Sequence, residues 1–437
     1  MRKSQMPYLV GVAKCDITPP VGIRLCGFAA RTEPSTGVYD PLQAVATVID
    51  DGRAAMVIIA ADLLGFYDRC EPVREALSQA LSLPEANIVL AGSHTHCGPH
   101  IREFDRPRLG PPDPAYLALL TERVVEAARV AWETRSEARL QVGVGQCDFA
   151  VSRRRLGSDG LVQWGPDKNG ACDHEVPVLT ASNASGELFA ILYNYACHPT
   201  SRAGLLVGGD YVGLAHDRIA AHFPDAVAGF LQGCGADQKP LPVDPDATSF
   251  VPREVEEVRW LGNDLGDAVA SVIRSGEMQQ ISGPLTIQSR TIQLETVAPD
   301  VEEAKRVLAG GDKRLRSWAE RLIDAAEHGI ELDRHAPFEI QTVTFGRSLA
   351  MITLAGEITV EHGLRLKREL GSMFENVLVV GYANHLAGYV PVERQIPEGG
   401  YCVDWANRFH GRPGRWVDET EQQIHTAIHE MLEHLKN

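Results

Sequence analysis

Short apolar runs alternate with amphipathic stretches along this chain, and that alternation restricts the fold more than any other feature. Runs such as Ala55–Ala60 and Leu349–Leu354 have the length and the apolar content of buried strands. Between such runs, Pro114–Glu133 and Val360–Leu370 carry apolar residues at helical spacing. Strand and helix patterns in alternation predict an α/β fold, with mixed β-sheets flanked by helices.

One segment departs from this alternation. Residues Asp300–His335 are charged and helical in pattern and contain no strand-like run. We interpret the segment around 300–335 as a helical insertion within a domain, not as a linker. Because no repeat, low-complexity tract or linker interrupts the rest of the sequence, we expect a single domain over residues 1–437.

Composition excludes several classes of protein. With 58 acidic against 42 basic residues the formal charge is −16, which argues against a nucleic-acid partner because phosphate binding requires clustered Lys and Arg. No stretch reaches about 18 apolar residues, so we predict no membrane insertion. The early apolar run Leu9–Ala13 is too short for a signal peptide. Nine cysteines without a CxxC pair indicate a reducing, cytoplasmic location.

Two of the 15 histidines form a His-x-His pair at the end of a predicted strand. His94 and His96 follow the apolar run Asn87–Ala91, and strand ends are where α/β proteins place their sites. In extended backbone, side chains two residues apart point to one face. The two imidazoles can therefore bind a metal together, or one can bind it while the other contacts the substrate. Two hydrogen-bonded loop residues are the alternative interpretation.

Four further polar positions also lie at strand ends or in glycine-rich loops. His198 follows the apolar run Phe189–Tyr195, which makes it a second candidate ligand. Glu357 lies between a strand and the next helix, so it either caps the helix or supplies an oxygen ligand that completes a His/His/Glu site. Tyr389 and Tyr401 lie in glycine-rich loops, where they can bind a metal, donate to an oxyanion or simply pack.

These motifs, in this order and at this spacing, resemble those of the neutral (non-lysosomal) ceramidase family, in its catalytic domain. The resemblance runs from about residue 8 to about residue 416. The motifs that carry it are Asp16–Gly22 (DITPPVG), Ser93–Pro99 (SHTHCGP), Ala196–Ser201 (ACHPTS), Gly209–Gly213 (GDYVG), Gln232–Asp237 (QGCGAD), Gly356–Thr359 (GEIT), Gly388–Val390 (GYV) and Gly400–Tyr401 (GY).

The resemblance implies a zinc-dependent attack of water on an amide or ester carbonyl. The zinc ligands that it implies are His94, His198, Glu357 and Tyr389. His96 would lie over the substrate carbonyl, Tyr401 would donate to the oxyanion, and Arg153 would line the site. Metal-bound imidazoles usually need a partner that orients them, and we expect Asp210 and Asp237 in that role.

The sequence also departs from the family. Lys239 stands where the family has a serine, and a cationic side chain there favours an anionic or polar substrate group. The signal peptide and the C-terminal immunoglobulin-like domain of the family's ceramidases are not recognised in this sequence. We therefore expect a zinc-dependent hydrolase of an amide bond in a small or polar molecule, not ceramide. Its substrate-binding residues would be Lys239, Arg153 and His96, and a homo-oligomer is left open.

Three alternatives remain at this level. An ester or lactone hydrolase would use the same oxyanion chemistry, and a lyase or isomerase of the same fold would use the same metal. A catalytically silent binding protein is disfavoured because the set His94, His96, His198, Glu357 and Tyr401 is intact.

We predict no function for the remaining histidines. His425, His429 and His434 share a predicted terminal helix but do not form HExxH, so we predict the polar face of an amphipathic helix. His100 and His385 lie near the motifs without a defined role.

Overall fold

The computed structural model describes residues 8–103, 109–244, 246–311 and 313–433. Its strands are β1 (Tyr8–Asp16), β2 (Gly37–Val38), β3 (Gln43–Asp50), β4 (Ala55–Ala61), β5 (Ile88–Gly92), β6 (Ser136–Gln146), β7 (Ala150–Leu156), β8 (Val162–Asp167), β9 (Glu175–Ser182), β10 (Leu188–Tyr195), β11 (Leu206–Val207), β12 (Val227–Gln232), β13 (Gln238–Pro240), β14 (Gln279–Gln280), β15 (Leu285–Glu295), β16 (His335–Phe345), β17 (Leu349–Leu354), β18 (Glu357–Ile358), β19 (Val377–Val380) and β20 (Tyr389–Val390). Its helices are α1 (Cys70–Leu81), α2 (Pro114–Glu133), α3 (Asp210–His222), α4 (Val255–Arg274), α5 (Val301–Ala309), α6 (Arg316–His328), α7 (Val360–Leu370), α8 (Ala406–Phe409) and α9 (Thr420–Leu432).

Two mixed sheets form the centre of the fold. The larger sheet has the strand order β12-β10-β9-β6-β1-β3-β4-β5, with β14 paired to β6. Most of its neighbours are antiparallel, but β4 with β5 and β10 with β12 are parallel. The second sheet has the order β15-β16-β17-β19 and ends in a parallel pair. The predicted α/β class with mixed sheets is confirmed.

Helices cover the outer faces of both sheets. The apolar core between the sheets contains Ile58 from the larger one and Val343 and Met351 from the smaller one. On the outer face of the larger sheet, α1 and α2 pack at one end and α3 and α4 at the other. Leu366 of α7 and Ile428 of α9 pack on the outer face of the smaller sheet. The order of layers is therefore helix, sheet, sheet, helix, which buries both faces of each sheet.

Three small sheets lie beside this framework and carry polar side chains. Strands β13, β7 and β8 form an antiparallel sheet, and β18 pairs in parallel with β20 so that Glu357 lies opposite Tyr389. A third pair joins β2 and β11. The runs that became β7 and β9 escaped our strand prediction, because the first contains three arginines and the second contains Pro177.

Two of the predicted helices have the expected boundaries. Helix α2 spans Pro114–Glu133 as predicted, with Asp113 accepting hydrogen bonds from the amides of Ala115 and Tyr116 at its start. Helix α7 also begins and ends where the apolar spacing places it. Among the residues that the structure describes, none of the helices is both long and apolar enough to cross a bilayer.

The segment around 300–335 folds as a helical pair, α5 and α6, as predicted. Asp300 caps α5 by accepting a hydrogen bond from the amide of Glu303. The pair packs against the loop that follows β20: Glu303 forms an ion pair of 2.5 Å with Arg408. The indole of Trp318 also donates to the carbonyl of Arg412 at 2.9 Å. The insertion therefore supports the loop of residues 401–412.

The structure corrects our prediction that the histidines of the C-terminal helix form its polar, solvated face. His425 is buried, and its Nε2 lies 3.2 Å from Nδ1 of His362 on α7. The carboxylate of Glu369 contacts the rings of both His425 and His429, at 3.2 and 3.0 Å. The histidines here join two helices instead of facing water. His434 lies outside the described residues.

Candidate metal centre

The loops after three separate strands bring the predicted ligands to one point. His94 and His96 follow β5, His198 follows β10, and Glu357 follows β17 within β18. Our prediction that His94 and His96 lie in extended backbone is wrong. Strand β5 ends at Gly92, and His94 has a φ of +67°. The Nε2 atoms of His94 and His96 nevertheless lie 3.2 Å apart. The strained backbone at His94 turns its ring toward the ring of His96, in a conformation costly for a residue other than glycine.

The rings of His94 and His198 face each other with their Nε2 atoms. Nδ1 of His94 lies 2.6 Å from the carbonyl of Leu64, and Nδ1 of His198 lies 2.8 Å from the carbonyl of Gly235. A neutral imidazole that donates from Nδ1 keeps a lone pair on Nε2. The two Nε2 atoms are 3.1 Å apart. Two lone pairs at this separation repel each other unless a cation lies against both of them.

Oxygen atoms complete the group. Oε2 of Glu357 is buried, receives no hydrogen bond from the described residues, and lies 3.3 Å from Nε2 of His94 and 3.5 Å from Nε2 of His198. The hydroxyl of Tyr389 lies 3.3 Å from the same nitrogen of His198. Two imidazoles, a carboxylate and a phenol are a donor set that suits zinc. The side chains of this centre therefore fit a bound metal ion.

Burial and neighbouring rings determine the charges in the centre. Burial alone would raise the pKa of Glu357, but the surrounding rings of His94, His198 and His410 reverse the sign and hold it well below its usual value. Burial of the ring is the larger cause and the charge of Arg153 the second cause that lower the pKa of His198 to about 3. An anionic carboxylate among neutral imidazoles is the state in which all of these groups can act as ligands.

His96 differs from the other two histidines in its surroundings. Its Nδ1 is buried without a hydrogen-bond partner among the described residues. Burial, followed by the charge of His94, holds the pKa of His96 well below its usual value. Gly27 lies against this ring with φ +95°, and a β-carbon at Gly27 would come within 2.5 Å of Cγ of His96. Together, His94, His96 and His198 form a compact group of nitrogens that can hold a metal.

Comparison with known proteins assigns the chain to a family. The model of the family described as neutral/alkaline non-lysosomal ceramidase, N-terminal, matches residues 8–240. The chain belongs to this family. Membership in it indicates a hydrolase of an amide bond.

Individual ceramidases match over most of the chain. The neutral ceramidase of Pseudomonas aeruginosa is 26% identical, over 97% of this chain and 72% of the relative. The neutral ceramidase of Mycobacterium tuberculosis is 24% identical, over 90% of this chain and 72% of the relative. The crystal structure of the Pseudomonas enzyme superposes with a TM-score of 0.73 at 19% identity, over 96% of this chain and 74% of the other. That structural likeness concerns the fold.

In this ceramidase-family chain the centre lies in a cavity of about 670 Å³. The predicted residues that line it are His94, His96, Arg153, Lys239, Glu357, Tyr389 and Tyr401. His198 lies behind the wall, with its ring fully buried. Aromatic side chains of Phe28, Trp164, Trp405 and Phe409 form much of the remaining wall. All of the candidate residues are therefore brought together, although they come from five different sheets and loops.

Arg153 is held by hydrogen bonds and aromatic faces. Its guanidinium donates to the hydroxyl of Tyr389 at 3.2 Å and to the carbonyl of Ala236. It also lies over the ring of Trp164, 4.6 Å from the centroid. The register between β7 and β8 shifts around Arg153, with the extra residue on β8.

Lys239 extends from β13 toward the same cavity. Its ammonium donates to the hydroxyl of Thr200 at 2.7 Å and to the carbonyl of Thr200 at 3.1 Å. Burial, followed by the charge of Arg153, lowers the pKa of Lys239 to about 7. The structure thus places this departure from the family pattern within the candidate site.

The structure corrects our expectation about the residues that orient the ligands. Asp237 accepts from the amide of Val360, and Asp210 accepts from the amide of Arg202. The rings of His94 and His198 instead place their Nδ1 atoms against the main-chain carbonyls of Leu64 and Gly235. A pattern of residue types does not reveal such carbonyls, because every position in the chain has one. His100 contacts the carbonyl of Gly110, away from the centre.

Two neighbours of the centre were missed from the sequence. Nε2 of His410 lies 3.3 Å from Oε1 of Glu357, on the side of the carboxylate away from His94. The hydroxyl of Tyr382 lies 3.2 Å from Nδ1 of His198, and its ring packs 4.3 Å from that of His94. His410 follows α8 in an irregular loop, so no strand or helix pattern distinguishes it.

Proposed function

We propose that this chain is a zinc-dependent hydrolase that cleaves an amide bond of a small or polar molecule other than ceramide. The observation that carries the proposal is the convergence of two imidazole nitrogens, Nε2 of His94 and Nε2 of His198, on a buried oxygen of Glu357 that receives no hydrogen bond from the described residues. The zinc ligands are His94, His198, Glu357 and Tyr389. When bound, zinc acts as a Lewis acid and lowers the pKa of water toward 7.

The chain's own side chains would then act on the substrate. The ring of His96 lines the cavity next to His94, beside the position of the scissile carbonyl. Tyr401 also lines the cavity, and its hydroxyl can donate to the carbonyl oxygen as charge develops on it. Donors of this type contribute a few kcal/mol each to transition-state stabilisation.

Proton transfer completes the reaction. Hydrolysis adds a hydroxyl to the acyl carbon and a proton to the leaving nitrogen, so the proton lost by water must reach the amine. His96 lines the cavity outside the proposed ligand set, and its Nε2 lies 3.2 Å from Nε2 of His94. We assign this transfer to His96. Arg153 holds the hydroxyl of Tyr389 and keeps a positive charge beside the site.

Metal analysis of the purified protein tests the centre directly. We expect about one zinc per chain, as in other catalytic zinc sites. The variant His198→Ala should lose the metal while its circular dichroism spectrum is retained, because the ring lies at the end of β10 and supports no helix. His174→Ala, a half-buried histidine outside the centre, is the matched control. A native protein that folds and turns over substrate without metal would contradict the proposal.

A substrate panel tests the reaction. Paired amides and esters of the same acids, together with lactones, should show amide turnover that chelators abolish and zinc restores. Turnover of the esters and lactones alone would replace the amide hydrolase by an esterase on the same centre.

A further inference from the structure

Two buried basic side chains line the cavity without an ion pair to any described residue, although the buried Asp210 acts on Lys239 from a greater distance. The inference drawn from them deepens the proposed function and rests on it. Lys239 and Arg153 are 8% and 4% exposed. Neither forms an ion pair with any of the residues that the structure describes. Lys239 has one ammonium proton left after its two bonds to Thr200. Nε of Arg153 is buried without a hydrogen-bond partner in the described chain. A buried charge normally has a counter-charge, so both point to an anionic ligand.

The two cations share one face of a small sheet. Lys239 on β13 lies opposite Val151 on β7, and the amide of Arg153 donates to the carbonyl of Asp237. Because side chains alternate along a strand, Lys239 and Arg153 are diagonal neighbours on the same side. Diagonal neighbours are near enough for long side chains to reach a common group. Both residues line the cavity.

The charge of the cavity opposes that of the whole chain. The protein carries −16, yet among the described residues that line the cavity the only acidic side chain is Glu357, which belongs to the proposed metal centre. Arg102 and Arg314 add two further cationic side chains to the lining. A positive cavity in an acidic protein selects anions by its local field.

We propose that the site takes an amide with a carboxylate next to the scissile bond, as in an N-acylated amino acid, and that Lys239 and Arg153 bind this carboxylate together. The guanidinium offers planar donors and the ammonium a point charge, and both are suited to carboxylate oxygens. The aromatic wall of Phe28, Trp164, Trp405 and Phe409 would face the apolar remainder of the substrate.

Competing substrates of equal size test the proposal. N-benzoylglycine and its uncharged isostere N-isobutylbenzamide differ in the carboxylate on the amine side. N-benzylmalonamic acid carries the carboxylate on the acyl side and distinguishes the two placements. We expect the zinc-loaded enzyme to prefer N-benzoylglycine over the neutral amide by at least about tenfold in kcat/KM, the usual worth of a charged hydrogen bond. A preference for N-benzylmalonamic acid alone would overturn the placement of the carboxylate on the amine side. Lys239→Met should abolish the preference for N-benzoylglycine, whereas Lys239→Arg and the exposed control Lys168→Met should keep it.

Binding of a carboxylate that cannot be cleaved separates this proposal from the hydrolytic one. The ketone 3-benzoylpropionate replaces the amide nitrogen of N-benzoylglycine by carbon, and its Kd is measured by calorimetry on the zinc-loaded protein. We expect Lys239→Met to weaken binding about tenfold or more. If no substrate is turned over but binding still depends on Lys239, the proposed hydrolase is overturned while the proposed carboxylate site stands. Equal cleavage of acids and neutral amides, or binding unaffected by Lys239→Met, would overturn the carboxylate site.

Discussion

Gly27 leaves room for the ring of His96, and a substitution that fills this space tests the role of His96. Because a β-carbon at Gly27 would meet that ring at 2.5 Å, we expect Gly27→Ala to displace His96 and to lower kcat at least about tenfold. Zinc content should remain, because His96 is outside the proposed ligand set. Gly22 has a similar φ of +100° with nothing within 4 Å, so Gly22→Ala carries the backbone strain without the clash. Equal activity of the two variants would contradict the role of His96.

His410 contacts the carboxylate of Glu357 opposite the side that faces the other histidines. We expect His410→Phe to free this carboxylate and to lower the affinity for zinc by about 10- to 100-fold, as other outer contacts to metal ligands do. Competition with a fluorescent zinc chelator measures the change. His385→Phe, a half-exposed histidine on the loop before β20, is the matched control. Unchanged zinc affinity with reduced thermal stability would show that His410 is only a packing residue.

At the level of single residues, the sequence predicted the candidate ligands that come directly after a strand. His94, His198 and Glu357 each follow an apolar run, and their residue types suit a metal. His410 lies in an irregular loop and contacts Glu357 only through the tertiary fold. The carbonyls that orient the ligand rings belong to Leu64 and Gly235, whose side chains play no part in this contact. No pattern of side chains could have found them.

Among the secondary-structure elements, the helical pair α5–α6 supports the loop that carries Tyr401. Trp318 is its main buried contact, with a hydrogen bond to Arg412 and the guanidinium of Arg408 over its ring. We expect Trp318→Ala to create a cavity that costs about 3–5 kcal/mol locally. Amide hydrogen exchange in residues 401–412 should then rise and kcat/KM should fall.

The control for this prediction is a tryptophan on another helix. Trp260 on α4 is 58% exposed, and Trp260→Ala should change neither exchange nor activity. Exchange in strands β3 to β5 should be the same in both variants, because the larger sheet has its own core. A rise in exchange throughout the protein after Trp318→Ala would show global rather than local loosening.

The elements themselves were predictable where the pattern was strong. Helices α2 and α7 and strand β17 have their predicted bounds. Strand β7 was not predicted, because its three arginines violate the usual pattern of a buried strand. The cavity explains one of these arginines, because Arg153 faces a polar site rather than an apolar core. Arg154 instead forms an ion pair with Glu398. The departure from local rules at Arg153 is therefore explained by the site that β7 supports.

For the whole molecule, the contact between α7 and α9 makes stability depend on pH. Burial, followed by the charge of His425, lowers the pKa of His362 to about 4. In the unfolded chain a histidine titrates near 6.5. Between these values the unfolded state binds a proton that the folded state does not, so the free energy of unfolding rises with pH. The contribution of His362 is lost as the pH falls from about 6.5 to about 4, at up to about 1.4 kcal/mol per pH unit.

Urea unfolding at pH 7 and at pH 5 measures this dependence. We expect His362→Gln to lose less stability than the wild type over this interval, because the buried group no longer titrates. His335→Gln, at an exposed position, serves as the control and should follow the wild type. Parallel pH dependence of His362→Gln and wild type would contradict the prediction.

The sequence by itself determined the alternation of strands and helices, and with it the fold class and the strand ends at which metal-binding residue types appear. These follow from local periodicity, which each segment carries independently of the others. Only the tertiary structure decided which ends meet. Contacts such as that between His94 and His198, 104 residues apart, depend on the order and direction of strands in the sheets. The pairing of Lys239 with Arg153 across β13 and β7 has the same origin, because register is a relation between segments and belongs to neither of them.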